Sequence, residues 1–233
     1  MKFYVQAIGL FGVLFGLGVA VAQDGTNQMT KKPSYPPLKD PASLAAIACG
    51  EPPLQTILWR QGYKVNTVQD EIEAQRFVKA GRGPVIFKPI AAYGLYKICS
   101  AGWYPVKPAS TASDNLPPPP EKHLLWRIDA PYNKQDFPPV MPGSSLQFDP
   151  GRQRFGLWVS TAGFPNETIC TEDALQVYDP RFKPDDRHKA HVIPARDASG
   201  KLIPNTYLIG WEYSTNNDDQ DVVTLVSNVK PVH

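Results

Sequence analysis

Cysteine is scarce and unpatterned here. The 233 residues hold three, Cys49, Cys99 and Cys170, with no Cys-x-x-Cys spacing. A cysteine-built zinc site is therefore not indicated. The odd count leaves one thiol without an intramolecular partner. Cys49 and Cys99 lie in the same half of the chain and are the preferred pair; Cys99 with Cys170 is the rival. Excess charge of either sign is also lacking: 24 basic residues face 22 acidic ones, a net of +2. Bulk charge thus gives no argument for a nucleic-acid partner or an anionic membrane. No G-x-S-x-G and no H-E-x-x-H occurs, and "GRGP" at 81–84 lacks the Lys-Ser/Thr of a phosphate loop. Beyond the N-terminus no run approaches the ~20 apolar residues of a membrane-spanning helix.

What is present begins with proline, 25 residues of it. Long helices do not accommodate so many, whereas loops and strand ends do. The opening "MKFYVQAIGLFGVLFGLGVAVAQDG" reads as a secretory signal peptide over residues 1–22. Lys2 is its positive region, Ile8 to Val19 its apolar region and Ala20-Val21-Ala22 its cleavage site. The expected mature protein is exported and has no membrane span. Residues 23–41, polar and Pro-rich, read as a flexible leader. Export makes a disulfide plausible.

Residues 42–107 supply N-terminal strands. "GPVIFKPIAAYGLYKICSAGWYP" reads as two of them, while Glu and Gln in "VQDEIEAQRFVKAG" favour one short helix ending at Gly81. At ~65 residues this part is marginal for independent folding, so its strands are expected to complete one sandwich with the C-terminal half. Residues 108–122, with four consecutive prolines, form a stiff connector. From 123 to 233 come short runs with period-two alternation, such as "RFGLWVS", "NTYLIGWEYS" and "DVVTLVSNV". Tyr207, Ile209, Trp211 and Tyr213 share one strand face, as do Phe155, Leu157 and Val159. The fold class is all-β: an antiparallel sandwich or jelly roll.

The densest chemistry lies at 212–221. Asn216, Asn217, Asp218, Asp219 and Asp221 crowd a loop, with Glu212 at the end of the preceding strand. Like charges repel at that range unless something positive sits among them. Calcium takes six to eight oxygens from such groups, so Asp218, Asp221, Glu212 and Asn216 are candidate ligands, with Asp173 approaching from a neighbouring loop. The spacing is not that of an EF-hand. The alternative is a solvated polar hairpin. His188 and His191, beside Asp185 and Asp186, suggest zinc. But residues three apart on a strand face opposite ways, and Pro184 and Pro194 leave a helix little room. Surface or structural histidines are expected. Among five tryptophans, Trp103 in "SAGWYP" is the best candidate for an exposed ligand-stacking ring. Asn166-Glu167-Thr168 is a glycosylation sequon.

The C-terminal stretch "LIGWEYSTNNDDQDVVTLV" resembles a domain of unknown function found in secreted and surface-anchored bacterial proteins. That family has an aliphatic-aromatic-Glu-Asp strand, a polar loop, and an Asp-x-Asn-Asp-aliphatic-aliphatic motif opening the last strand. Glu212 matches the first acid, and Asp218 and Asp221 match the loop acids. Gln220 stands for the usual Asn and Tyr213 for the usual second acid. "FGLWVSTAGFPNETICTEDAL" and "HVIPARDASGKLIPNTYLIGWE" extend the resemblance upstream. It implies a jelly-roll sandwich with bound calcium and no established enzyme activity. The expected function is an exported, calcium-stabilised binding or adhesion module whose partner is an extracellular glycan or surface protein. The alternatives are a secreted polysaccharide hydrolase using Glu172 and Glu212, and a structural matrix component.

Overall fold

The computed structural model describes residues 51–95, 97–107, 119–161, 168–214 and 217–232. The expected signal peptide and leader, Cys49, most of the Pro-rich connector, Asn166 and Asn216 lie outside them.

The described chain is an antiparallel sandwich of two six-stranded sheets. The first sheet runs β12 (Val229–Val232), β1 (Arg76–Lys79), β7 (Phe155–Thr161), β3 (Cys99–Pro105), β4 (His123–Ile128), with β8 (Thr168–Cys170) also on β7. The second runs β5 (Gln135–Asp136), β2 (Val85–Ala92), β11 (Val222–Ser227), β10 (Leu202–Trp211), β9 (Ala190–Arg196), with β6 (Gln147–Phe148) also on β2. Strands from residues 42–107 therefore interleave with C-terminal ones. β2 pairs with β11 from Ile86–Ser227 to Ala92–Val222, and β3 lies between β4 and β7. No helix among the described residues is long and apolar enough to cross a membrane.

Alternation decides what fills the gap between the sheets. Phe155, Leu157 and Val159 point there from one sheet, and Tyr207, Ile209 and Trp211 from the other. Trp126 packs on Phe87 at 5.6 Å between ring centres and donates its indole N–H to the Phe87 carbonyl at 3.0 Å. That bond satisfies a polar group that burial would otherwise penalise.

The second sheet is buried on its outer face too. The helix α1 (Leu54–Arg60) lays Leu54, Ile57 and Leu58 over Ile193, Leu208 and Val223. This is why β11 is almost wholly buried instead of alternating. Among the described residues the short α-helix is thus at 54–60. The expected helix over 68–81 does not form: its last part is strand β1, and Ile72 bridges to Val192. Tertiary pairing outweighs the local preference of Glu and Gln, because Phe77 is buried against Phe155 and Tyr207. Neither expected disulfide involving Cys99 is present. Cys99 and Cys170 are buried free thiols, and burial pushes each up to about 12. The Cys99 sulfur lies 2.9 Å from the Tyr213 hydroxyl.

Candidate functional site

Two clusters of ionisable side chains stand at one end of the second sheet, where β10 hands over to the loop leading into β11. The first comes from that loop. Glu212 follows the last residue of β10 and is fully buried. Its carboxylate accepts three backbone N–H groups: Ser214 at 2.6 Å, Asp218 at 2.8 Å and Asp219 at 3.2 Å. The loop is therefore wound around one anion, with its amide dipoles turned inward. Asp221 accepts the Tyr213 amide at 2.6 Å. Ligand oxygens of Glu212, Asp218 and Asp221 lie within 4.8 Å of one another. Asn217 and Asp219 adopt positive φ, which Asn and Asp tolerate better than most residues. Two glycines make room: a Cβ on Gly94 would collide with the Asp221 carboxylate, and one on Gly210 would stand 2.5 Å from the Asp219 carbonyl oxygen.

This is not a solvated hairpin. Asp218, Asp219, Gln220 and Asp221 are all buried. The electrostatic consequence is clear. Burial and the charge of Glu212 lift Asp218 to about 7. Burial and Glu212 also raise Asp221 well above the usual carboxylate range, although the Tyr213 amide pulls the other way. Without a cation, Asp218 and Asp221 therefore hold a proton more readily than ordinary carboxylates do. Neighbouring cations grip the loop from outside. The buried Lys189 reaches Asn217 at 2.7 Å, and Arg181 donates to the Tyr213 carbonyl at 2.8 Å while clasping Asp179.

The second cluster is assembled from distant residues. The Ile72–Val192 bridge brings Glu71 beside the start of β9. Its Oε1 is 3.0 Å from His188 Nε2 and 2.6 Å from His191 Nδ1. The outer nitrogens also meet carboxylates: His188 Nδ1 lies 3.1 Å from both Asp173 oxygens, and His191 Nε2 lies 3.1 Å from Asp219 Oδ1. Asp173 is fixed by Gln75, whose side chain accepts its amide at 3.0 Å. Burial would raise Glu71, but the two histidines outweigh it and bring it to about 2. Burial would lower His191, but Asp219 and Glu71 outweigh it and carry it to about 10.

Of the two expectations for these histidines, surface or structural, the surface one is thereby corrected, as is their placement on opposite faces. His188 and His191 are neither at the surface nor on opposite faces; their rings meet edge to face at 4.5 Å. The alternation rule fails because β9 begins only at Ala190. His188 precedes it, just after a 3₁₀ turn at Pro184–Asp186. Asp173 does not join the Glu212 group; its partners are His188 and Gln75. Glu71 was missed because nothing in "VQDEIEAQ" distinguishes it from other surface-type acids.

Trp103 is likewise not an open stacking ring. His123 stacks on it at 4.4 Å and Phe148 at 5.1 Å, so neighbours occupy the stacking positions a sugar would need. Glu172, one of the two nominated hydrolase acids, is buried in an ion pair with Arg76 at 2.5 Å.

The fold and site define the class: an antiparallel β-sandwich with, among the described residues, two clusters that could hold a metal ion. No family model, curated protein or solved structure matches the chain.

Proposed function

We propose that this protein is an exported β-sandwich module that takes a calcium ion at Glu212, Asp218 and Asp221 and serves in binding or adhesion outside the cell. One observation carries the reading: three carboxylates buried within 4.8 Å of one another on a single loop. A hard divalent cation would remove their mutual repulsion, and all-oxygen donor sets suit calcium. The ion's role is structural, since Glu212 is closed off from solvent and clamped by three amides. The same burial argues against Glu212 as a glycosidase acid, which has to reach a substrate oxygen. Export rests on the N-terminal signal-peptide pattern, and an extracellular glycan or surface protein is the partner class that goes with it.

The test is a thermal melt in chelator and then in added calcium. Extracellular calcium modules bind at about 10⁻⁴ to 10⁻³ M. At roughly 2 mM calcium, native-state binding then contributes about 0.6 to 2 kcal/mol. For a domain of this size that is a rise of roughly 1 to 8 °C in Tm. Magnesium should substitute poorly, because it demands a tighter octahedron. Equal melting temperatures with and without calcium would remove the cation from the reading. A glycan array run on the calcium-loaded protein addresses the partner: capture without turnover supports a module, whereas released sugar supports a hydrolase.

A further inference from the structure

We propose that Glu71, His188 and His191 form a second, chemically distinct site for one divalent transition ion of borderline softness, of the Zn²⁺ type. The three donor atoms already converge: His188 Nε2 and His191 Nδ1 both face Glu71 Oε1, at 3.0 and 2.6 Å. Ligands 2.0–2.1 Å from a tetrahedral ion stand ~3.3 Å apart. The two histidine–glutamate pairs therefore have to part by about 0.3 and 0.7 Å to seat one.

The outer contacts suit an ion as well. All four ring nitrogens lie against carboxylate oxygens, so an ion seated at the inner pair leaves each outer nitrogen beside an acceptor. Each histidine is then neutral, gives its inner lone pair to the ion and donates its outer N–H to a carboxylate. Asp173 serves His188 and Asp219 serves His191 in this way, the arrangement that fixes tautomer and ring orientation in metal-bound histidines. Gln75 in turn holds Asp173 through two hydrogen bonds. Imidazole nitrogen suits zinc, cobalt, nickel or copper and not calcium, so this site and the all-oxygen loop select different ions. Asp219 joins the two, since its side chain meets His191 while its amide binds Glu212.

The experiment uses the full chain after chelator treatment. Cobalt(II) is titrated in and its visible ligand-field absorption recorded, then zinc is added. The expected result is one equivalent of cobalt giving intense low-coordinate bands, which zinc abolishes while raising Tm. His188→Asn should lose the bands. The double variant Asp218→Asn/Asp221→Asn should keep them, which separates this site from the calcium loop. Asp173→Asn tests the positioning role and serves if His188→Asn fails to fold: the bands persist but affinity falls about 10- to 100-fold. Absence of bands and of zinc stabilisation in the parent protein overturns the proposal. So do bands that survive in folded His188→Asn, bands lost in the double variant, or an affinity unchanged in Asp173→Asn.

Discussion

The two clusters meet at Asp219 yet handle buried charge in opposite ways. In the Glu212 loop all the donors are acids, and the structure answers them with backbone amides and retained protons: Asp218 sits near 7 and Asp221 is raised well above its usual range. In the Glu71 cluster, acids alternate with imidazoles, and ionisation is reinforced. Glu71 falls to about 2 and His191 rises to about 10. An all-acid group is under tension until a cation arrives, whereas a mixed group is held together by its own charges. Removing a carboxylate should therefore have opposite consequences in the two places.

The largest effect is expected at Glu71. Glu71→Ala leaves two buried histidines without the acceptor they share. Breaking a buried charged network by deleting one partner costs about 3 to 5 kcal/mol. Urea unfolding of parent and variant in chelator measures it, and a loss below 1 kcal/mol would mean that the histidines find other partners easily. In the same buffer Asp218→Asn should not destabilise, because it removes repulsion. If both variants lose stability alike, the contrast between the clusters collapses.

A smaller effect is expected at Gly94. A methyl group there drives into the Asp221 carboxylate. Overpacking of this kind costs about 1 to 3 kcal/mol. Because it displaces a loop acid, Gly94→Ala should also blunt the calcium response while leaving cobalt absorption intact. Melting curves in chelator and in calcium check the first half, and a cobalt titration checks the second.

The most graded effect is with pH. Asp218 has a raised native pKa, so between about 4 and 7 the native state binds more protons than the unfolded chain. Stability in chelator therefore falls as pH rises through that window, by at most about 1.4 kcal/mol per pH unit for one group. Asp221, also raised, adds to the slope, so Asp218→Asn should reduce it and Asp218→Asn/Asp221→Asn should flatten it. Histidine behaves differently in position: the contribution of His191 is fully present below about 6.5 and is lost as pH rises through about 10. Glu71, whose native pKa is depressed, contributes above about 4.5 and loses that contribution as pH falls toward 2. Chemical denaturation at a series of pH values, with and without the Asp218→Asn change, resolves these windows. A slope between 4 and 7 that is unchanged in Asp218→Asn, or that survives the double substitution, would assign it to another group.

Much of this molecule is written locally. Period-two alternation put Tyr207, Ile209 and Trp211 on one face, and they fill the space between the sheets. Proline and turn residues excluded long helices. The crowding of Glu212, Asp218 and Asp221 was visible because all three lie within ten residues, and a single loop brings them together. Such features depend on neighbours in the chain, and neighbours are what a sequence displays.

The rest required partners far away. A strand forms at 76–79 because Phe77 has Phe155 and Tyr207 to pack against, not because of its own residues. The context of Trp103 reads as an open ring, but strand pairing sets it beside His123 and β6 brings Phe148. The histidine spacing was legible, but its meaning depended on where β9 begins, and Glu71 joins the pair from 117 and 120 residues away. The sequence by itself determined the β class and the acid loop, since both follow from short-range periodicity and spacing. Only the tertiary structure decided which charges face one another, because side chains meet through sheet register and bridges that no local pattern encodes.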